Sequence, residues 1–269
     1  TGGGGVSKYH KSSFSQISTK NGLYENWIYS SVRDDKNRIW VGAGTRGVTV
    51  LTDSTLERFN AYNGFTDAKI RLLYKDKKGR IWLGPEGDGL WVYDSSFHQV
   101  FSDIPKVKYD HIKSITQDSS GYYWVCEGGK GLVQFDYNDT THEITTIKHL
   151  TSREGLPKDY IYALHADKLN RIWFGTKNAG TGYILEDKII RYTIKEGLAS
   201  NSVMMMTEDD DGFIWMGGGD GISRISAFKN PIDIERIGNS DGLIGIPVYQ
   251  IAVDPTGHLW AGTSNGVTR

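Results

Sequence analysis

Residues 161–176 read IYALHADKLNRIWFGT, and this order of residue types recurs along the chain. An aspartate is followed after three residues by asparagine or glycine, and a tryptophan follows three residues later. The phrase occurs six times, with steps of 42, 42, 49, 42 and 45 residues between successive tryptophans. A period in the forties indicates modules that stack on one another. The pairs are Asp34–Trp40, Asp76–Trp82, Asp118–Trp124, Asp167–Trp173, Asp209–Trp215 and Asp254–Trp260.

One repeat, residues 26–65, predicts four short antiparallel strands. Residues 27–33 alternate and are rich in β-branched and aromatic types, which indicates a first strand. Asp34 opens a turn because its carboxylate can accept hydrogen bonds from amides two or three residues on, and Asn37 tolerates a positive φ. Further strands are predicted over 39–42, 48–51 and 55–61. Such a unit corresponds to one blade of a β-propeller.

The predicted fold class is therefore all-β: a β-propeller of four-stranded antiparallel blades, with six repeats plus a partial N-terminal one. It is expected to occupy residues 1–269 as a single domain. A six-bladed ring completed by the N-terminal strand is the simplest arrangement, and a truncated seven-bladed propeller is the alternative. We expect the repeated tryptophans to pack between blades, because a buried indole removes about 150–250 Å² from water.

Composition excludes several classes of function. The 31 basic and 32 acidic residues nearly cancel, so no net charge attracts nucleic acid. No stretch approaches the roughly 20 apolar residues that cross a bilayer, so no direct membrane insertion by this segment is expected. Cys126 is the one cysteine and is expected to be a buried thiol. The sequence predicts no catalytic residues, no metal site and no cofactor.

Residues 161–176, together with 189–198 (IIRYTIKEGL), resemble the two-component regulator propeller repeat. Repeats of that family typically form the extracytoplasmic sensor part of bacterial hybrid histidine kinases. The resemblance implies a non-catalytic, periplasmic sensor that recognises an oligosaccharide. It also implies other domains of a longer chain, and a second copy in a homodimer, as partners. The full Trp-x-Gly-Thr tetrapeptide occurs only at 173–176 and 260–263, so the other turns differ.

Two other functions stay open at this stage. Many propellers are protein–protein interaction scaffolds, which a large patch without a pocket would favour. A propeller-type polysaccharide lyase or hydrolase needs a converging acid–base pair, for which Tyr160, His111 and Lys113 are the best trio.

Comparison among the repeats separates framework positions from variable ones. Six residues before the turn aspartate, all repeats carry isoleucine or valine, which indicates core. Five residues before it they differ, and alternation along the strand places these side chains on the opposite face. The residues seven before the aspartate and those after the second strand also vary. Aromatic rings beside charged groups suit sugars. The predicted ligand-binding rim comprises Trp27, Tyr29, Arg46, Lys69, Arg71, Glu86, His111, Lys113, Glu127, Tyr160, Tyr162, Lys177 and Tyr249.

Overall fold

A computed structural model describes residues 4–10, 13–52, 55–100, 111–157, 160–226, 228 and 232–269. The chain forms two compact units. One comprises Thr1–Lys113 with Asp136–Thr146, and the other comprises Ser114–Phe135 with Ile147–Arg269. The expectation of one domain over 1–269 stays a prediction.

Antiparallel strands account for nearly all regular structure in these residues. In chain order they are β1 (Val6–His10), β2 (Ser13–Ile17), β3 (Ile28–Arg33), β4 (Ile39–Ala43), β5 (Val48–Leu51), β6 (Leu56–Phe59), β7 (Ile70–Lys75), β8 (Ile81–Pro85), β9 (Leu90–Tyr93), β10 (Phe97–Val100), β11 (Ile112–Gln117), β12 (Tyr123–Glu127), β13 (Gly131–Tyr137), β14 (Ile144–Leu150), β15 (Ile161–Ala166), β16 (Ile172–Thr176), β17 (Thr181–Leu185), β18 (Lys188–Tyr192), β19 (Val203–Glu208), β20 (Phe213–Gly218), β21 (Gly221–Ser226), β22 (Ile234–Ile237), β23 (Val248–Val253), β24 (Leu259–Thr263) and β25 (Gly266–Thr268). Two 3₁₀ turns, Ala61–Asn63 and Asn239–Asp241, are the helical segments of the described ranges.

Each repeat forms its own sheet. Strands β3–β6, β7–β10, β11–β14, β15–β18 and β19–β22 make four-stranded sheets in chain order, and β23–β25 make a three-stranded one. Strands β1 and β2 pair with each other as the partial N-terminal repeat. The predicted all-β fold of six repeats plus a partial one is confirmed. No helix in the described ranges is long and apolar enough to span a bilayer.

The turn aspartate links the hairpin to the tryptophan. Asp34 Oδ1 accepts hydrogen bonds from the amides of Lys36 at 3.0 Å and Arg38 at 2.8 Å, while Oδ2 accepts from the indole Nε1 of Trp40 at 3.0 Å. The indole bond recurs in the other five repeats at 2.7–3.0 Å. It explains the fixed spacing of six residues. The sequence predicted the amide contact two residues on; the second amide lies four residues on instead of three, and the indole contact was not predicted.

The glycine two residues after the tryptophan allows neighbouring repeats to approach. A Cβ on Gly42 would lie 2.9 Å from the carbonyl oxygen of Ile70, and one on Gly175 would lie 2.7 Å from that of Val203. Both carbonyls belong to the first strand of the next repeat. First strands pack consecutively, β3 with β7 in one unit and β15 with β19 and then β23 in the other. Cys126 takes the glycine position in its repeat and is buried, as predicted.

A second recurring element follows the fourth strand. The backbone N–H and the hydroxyl of Thr193 both donate to Glu196 Oε2 at 2.7 Å, and these bonds lower the pKa of that carboxyl. Gly197 then adopts a φ of 118° and Leu198 is fully buried. The fourth strand of the first repeat, predicted over 55–61, ends at Phe59 because the 3₁₀ turn begins two residues later.

Candidate functional site

The residue five positions before the turn aspartate lies at a β-bulge. In β3, Ile28 pairs with Ala43 and Ser30 pairs with Gly42, so Tyr29 is skipped in the register. The same shift occurs in β7, β15, β19 and β23. A bulge re-aims its extra side chain and is common beside binding sites. The sequence attributed the exposure of these side chains to simple alternation along the strand. In the structure the cause is the bulge. The bulged residues include the predicted site residues Tyr29, Arg71, Tyr162 and Tyr249.

Four predicted site residues of the first unit contact one another, and Tyr29 is one of them. The guanidinium carbon of Arg71 lies 4.3 Å from the centroid of the Tyr29 ring, and Lys69 Nζ lies 5.8 Å from it. Glu86 Oε2 pairs with Lys69 Nζ at 3.1 Å and with Arg71 Nε at 3.2 Å. The Lys69 and then the Arg71 contacts lower the pKa of the Glu86 carboxyl against the opposing effect of burial. The cluster carries one net positive charge, and its charged side chains already form ion pairs and ring contacts with one another.

His111 and Lys113 extend this cluster along the surface. With Arg71, Pro85 and Glu86 they line a cleft of about 10 Å³. That volume holds about one water molecule. A ligand at this place would therefore lie on the surface instead of entering a cavity.

A larger cavity lies in the second unit beside Tyr160. Its volume is about 340 Å³, within the roughly 300–1,000 Å³ of small-molecule sites. Tyr160 is half exposed, and its ring packs against the backbone of Gly129, where an added Cβ would lie 3.4 Å from Cε1. Gly129 also has a φ of 76°, which favours glycine. The lining residues are Gly129, Lys130, Gly131, Thr151, Ser152, Leu156, Pro157, Tyr160 and Ile161.

Hydrogen bonds hold the polar wall of this cavity in place. The amide of Lys130 donates to the Glu127 carbonyl at 2.8 Å, and the Lys130 carbonyl contacts His149 Nε2 at 2.8 Å. The hydroxyl of Thr151 donates to Glu154 Oε2 at 2.7 Å and accepts from the amide of Arg153 at 3.2 Å. Leu156 and Pro157 are buried and give the cavity an apolar side. Tyr160, Lys130, Thr151 and Ser152 therefore border one space.

The remaining predicted site residues lie at separate places. Glu127 is buried at the end of β12, opposite Gly131, and does not belong to an exposed rim as predicted. Arg46 is exposed with a φ of 62°, and its amide donates to the Asp67 carbonyl at 2.9 Å. Lys177 is exposed, and its amide donates to the Tyr160 carbonyl at 2.9 Å. Of the three remaining aromatic residues, Trp27 and Tyr249 are exposed and Tyr162 is partly buried.

The varied positions of the repeats include Tyr160 and the turn residue Lys130, but not the other residues of this cavity. Lys130 lies in the run Gly128–Gly129–Lys130–Gly131, and the corresponding turn of the fifth repeat, Gly218–Gly219–Asp220–Gly221, contains as many glycines. The glycine content of this turn therefore gave no signal for the cavity. Thr151 and Ser152 follow the fourth strand, a position that the comparison among repeats did not include.

Comparison with known proteins agrees with the repeat pattern. The family model described as "Two component regulator propeller" matches residues 155–178, 197–220 and 242–265. These three segments are similar to that repeat and lie in the second half of the chain. No curated protein matches the chain.

Solved structures share the fold at low sequence identity. The extracellular domain assigned to a hybrid two component system, BT3049 from B. thetaiotaomicron, has a TM-score of 0.84 and 20% identity, covering 99% of this chain and 36% of that one. The extracellular domain of BT4673 from the same organism, assigned to a one component system, has a TM-score of 0.75 and 19% identity, covering 90% and 34%. Virginiamycin B lyase from Staphylococcus aureus has a TM-score of 0.68 and 17% identity, covering 90% and 83%. The chain spans about a third of the first two structures, and these likenesses establish its propeller fold.

Proposed function

We propose that this chain, with its two component regulator propeller repeats, is a non-catalytic sensor domain that binds an oligosaccharide outside the cytoplasm. In this proposal it is the ligand-binding part of a bacterial two-component system. Other domains of a longer chain carry the signal across the membrane. The repeat family and the extracellular two component domains that share the fold support the sensing role. The cavity beside Tyr160 is the observation that carries the choice of ligand.

The chemistry of that cavity suits one or two sugar residues. A pyranose presents an apolar C–H face, which packs on an aromatic ring, and hydroxyls that need donors and acceptors around them. Tyr160 supplies the ring, Thr151 and Ser152 supply hydroxyls, and Lys130 supplies an ammonium group. The buried side chains of Leu156 and Pro157 complete the wall.

The Tyr29 cluster is a second contact surface in the proposal. Its ring already carries Arg71, and its cleft holds about one water molecule, so it suits surface contact with a longer chain of sugars. Arg71 and Lys69 favour hydroxyl or acidic groups at that place.

The test is calorimetric titration of the isolated chain with a panel of oligosaccharides. We expect saturable binding without product release. Tyr160→Ala is expected to weaken binding at least tenfold, about 1.4 kcal/mol. Tyr62→Ala is the control, because Tyr62 is an exposed tyrosine that belongs neither to the cavity nor to the predicted rim. Tyr29→Ala and Arg71→Ala test the Tyr29 cluster by itself and are expected to leave binding at the Tyr160 cavity unchanged.

Three outcomes would contradict the proposal. Equal affinity of the Tyr160→Ala and wild-type chains would exclude the cavity as the site. Release of a shortened or unsaturated sugar would make the chain an enzyme, the alternative that the likeness to a lyase supports. Binding of a protein with no response to any glycan would favour an interaction scaffold.

A further inference from the structure

The repeat of 49 residues contains an enlarged loop between β13 and β14 that the proposed function does not use. Asn138 Oδ1 accepts hydrogen bonds from the amides of Thr140 at 2.8 Å and Thr141 at 3.1 Å, and the amide of His142 donates to the Asn138 carbonyl at 2.9 Å. His142 has a φ of 57°, in the left-handed region. Such a conformation is uncommon for a residue other than glycine and is found often at functional sites.

This loop packs over the preceding repeat within the first unit. The ring of Tyr137 meets the indole of Trp82 edge-on, with centroids 5.1 Å apart. The carboxylate of Asp139 forms ion pairs with Lys78 and Arg80. The loop is thus anchored at two points on the β7–β10 sheet.

The anchored loop brings His142 against the hairpin that joins β9 and β10. Its imidazole stacks on that of His98, with ring centroids 3.5 Å apart and planes inclined by 11°. Asp94, at the start of the same hairpin, has its Oδ1 3.4 Å from His98 Nε2. One ligand atom from each of these three residues lies within 4.8 Å of the other two.

We propose that Asp94, His98 and His142 bind a divalent transition-metal ion, with Zn²⁺ as the natural occupant. Zinc takes nitrogen from histidine and oxygen from carboxylate at about 2.0–2.2 Å, and two nitrogens on a tetrahedral ion are then about 3.4 Å apart. Binding requires the two imidazoles to rotate out of their parallel stack, so that their in-plane lone pairs converge on one ion. The fourth position is left for water. The side chains of Asp94 and His98 are about a quarter exposed, so an ion can reach them.

The neighbouring hydroxyls fit this arrangement. Tyr137 Oη lies 2.8 Å from His142 Nδ1, so that nitrogen can donate to the phenol while Nε2 faces the ion. A metal-bound histidine usually has its other nitrogen bonded in this way. Ser96 Oγ lies 2.9 Å from His98 Nε2 and is the group that an incoming ion displaces. The sequence predicted no metal site because His98 and His142 are 44 residues apart and show no ligand spacing.

The test uses the untagged chain after treatment with a chelator and dialysis. Titration with ZnCl₂ in a calorimeter is expected to show one ion per chain. Co²⁺ is expected to give the absorption bands of a tetrahedral complex, which Zn²⁺ then removes. Because an ion that binds only the folded chain stabilises it, Zn²⁺ is also expected to raise the melting temperature.

Substitutions assign the ligands. His98→Gln and His142→Asn are each expected to weaken Zn²⁺ binding at least 100-fold, and asparagine tolerates the left-handed backbone at position 142. Tyr137→Phe is expected to weaken it about tenfold, as loss of an outer hydrogen bond does. His149→Ala is the control and is expected to leave affinity unchanged, since His149 contacts the Lys130 carbonyl instead.

Two results would overturn the site. A wild-type chain that binds no Zn²⁺ would exclude it without any variant. Unchanged affinity in the chain carrying both His98→Gln and His142→Asn, with a wild-type circular dichroism spectrum, would place the ion elsewhere.

Discussion

The repeat around Trp173 and the last repeat, around Trp260, share a motif but differ in burial. Both indoles donate to their turn aspartate at 2.8 Å. Trp173 is fully buried and packs on Tyr183 with ring centroids 4.9 Å apart, whereas Trp260 is 40% exposed. The motif therefore fixes the hairpin, and the burial of its tryptophan depends on what packs against the sheet. The sequence of the repeat therefore determines the hairpin, but it does not determine how deeply the tryptophan is buried.

The largest expected effect separates the two indoles. Trp173→Ala is expected to lower the free energy of unfolding by about 3–5 kcal/mol, because it leaves a cavity in a closed core. Trp260→Ala is expected to cost less than half as much, since part of its surface already faces solvent. Urea unfolding followed by circular dichroism measures both. Equal losses would show that the indole–aspartate bond, and not burial, provides the stabilisation.

The corresponding glycines provide a second comparison. An added Cβ at Gly175 would lie 2.7 Å from the Val203 carbonyl oxygen, whereas at Gly262 its nearest neighbour is 3.7 Å away. We expect Gly175→Ala to destabilise the chain by about 1–3 kcal/mol, as overpacking does. Gly262→Ala is expected to change stability by less than about 0.5 kcal/mol. Melting temperatures of the two variants measure the difference, and equal shifts would contradict the close approach of the first strands.

The smallest expected effect is a pH dependence at the last repeat. Hydrogen bonds from the Thr256 hydroxyl and the Trp260 indole hold the pKa of the Asp254 carboxyl well below its usual range. A lowered pKa stabilises the fold above the ordinary value of about 4, and the contribution is lost as the pH falls through the folded pKa.

The matched variant is Asp254→Asn. We expect it to melt below the wild-type chain at pH 7 and to approach it as the pH is lowered below about 4. Scanning calorimetry over that range measures the gap between the two chains. A gap that stays constant with pH would show that the charge of Asp254 contributes nothing.

The local part of the fold was predictable because its chemistry lies within a few residues. An aspartate, a residue that accepts positive φ and a tryptophan on one hairpin specify their own turn. The recurring glycine after the tryptophan was visible too, although its reason was not, because the carbonyl it accommodates belongs to the next repeat. The bulge at Tyr29 was hidden for a similar reason, since register depends on the partner strand.

The candidate site was less predictable than the fold. Variation among repeats selected Tyr160, Tyr29 and Arg71, but it also selected Glu127, which the structure buries. Variation alone does not distinguish an exposed position from a buried one. The polar residues beside Tyr160 come from two loops, 129–131 and 151–157, and only their meeting in space forms the cavity.

We propose that the aspartate–tryptophan framework supports the fold while the variable side chains bind the ligand. The most direct measurement takes the unfolding free energy and the oligosaccharide affinity of Tyr160→Ala and Trp260→Ala side by side. We expect Tyr160→Ala to lose at least tenfold in affinity with stability nearly unchanged, and Trp260→Ala to lose stability with affinity unchanged. Loss of both properties in both variants would contradict that division.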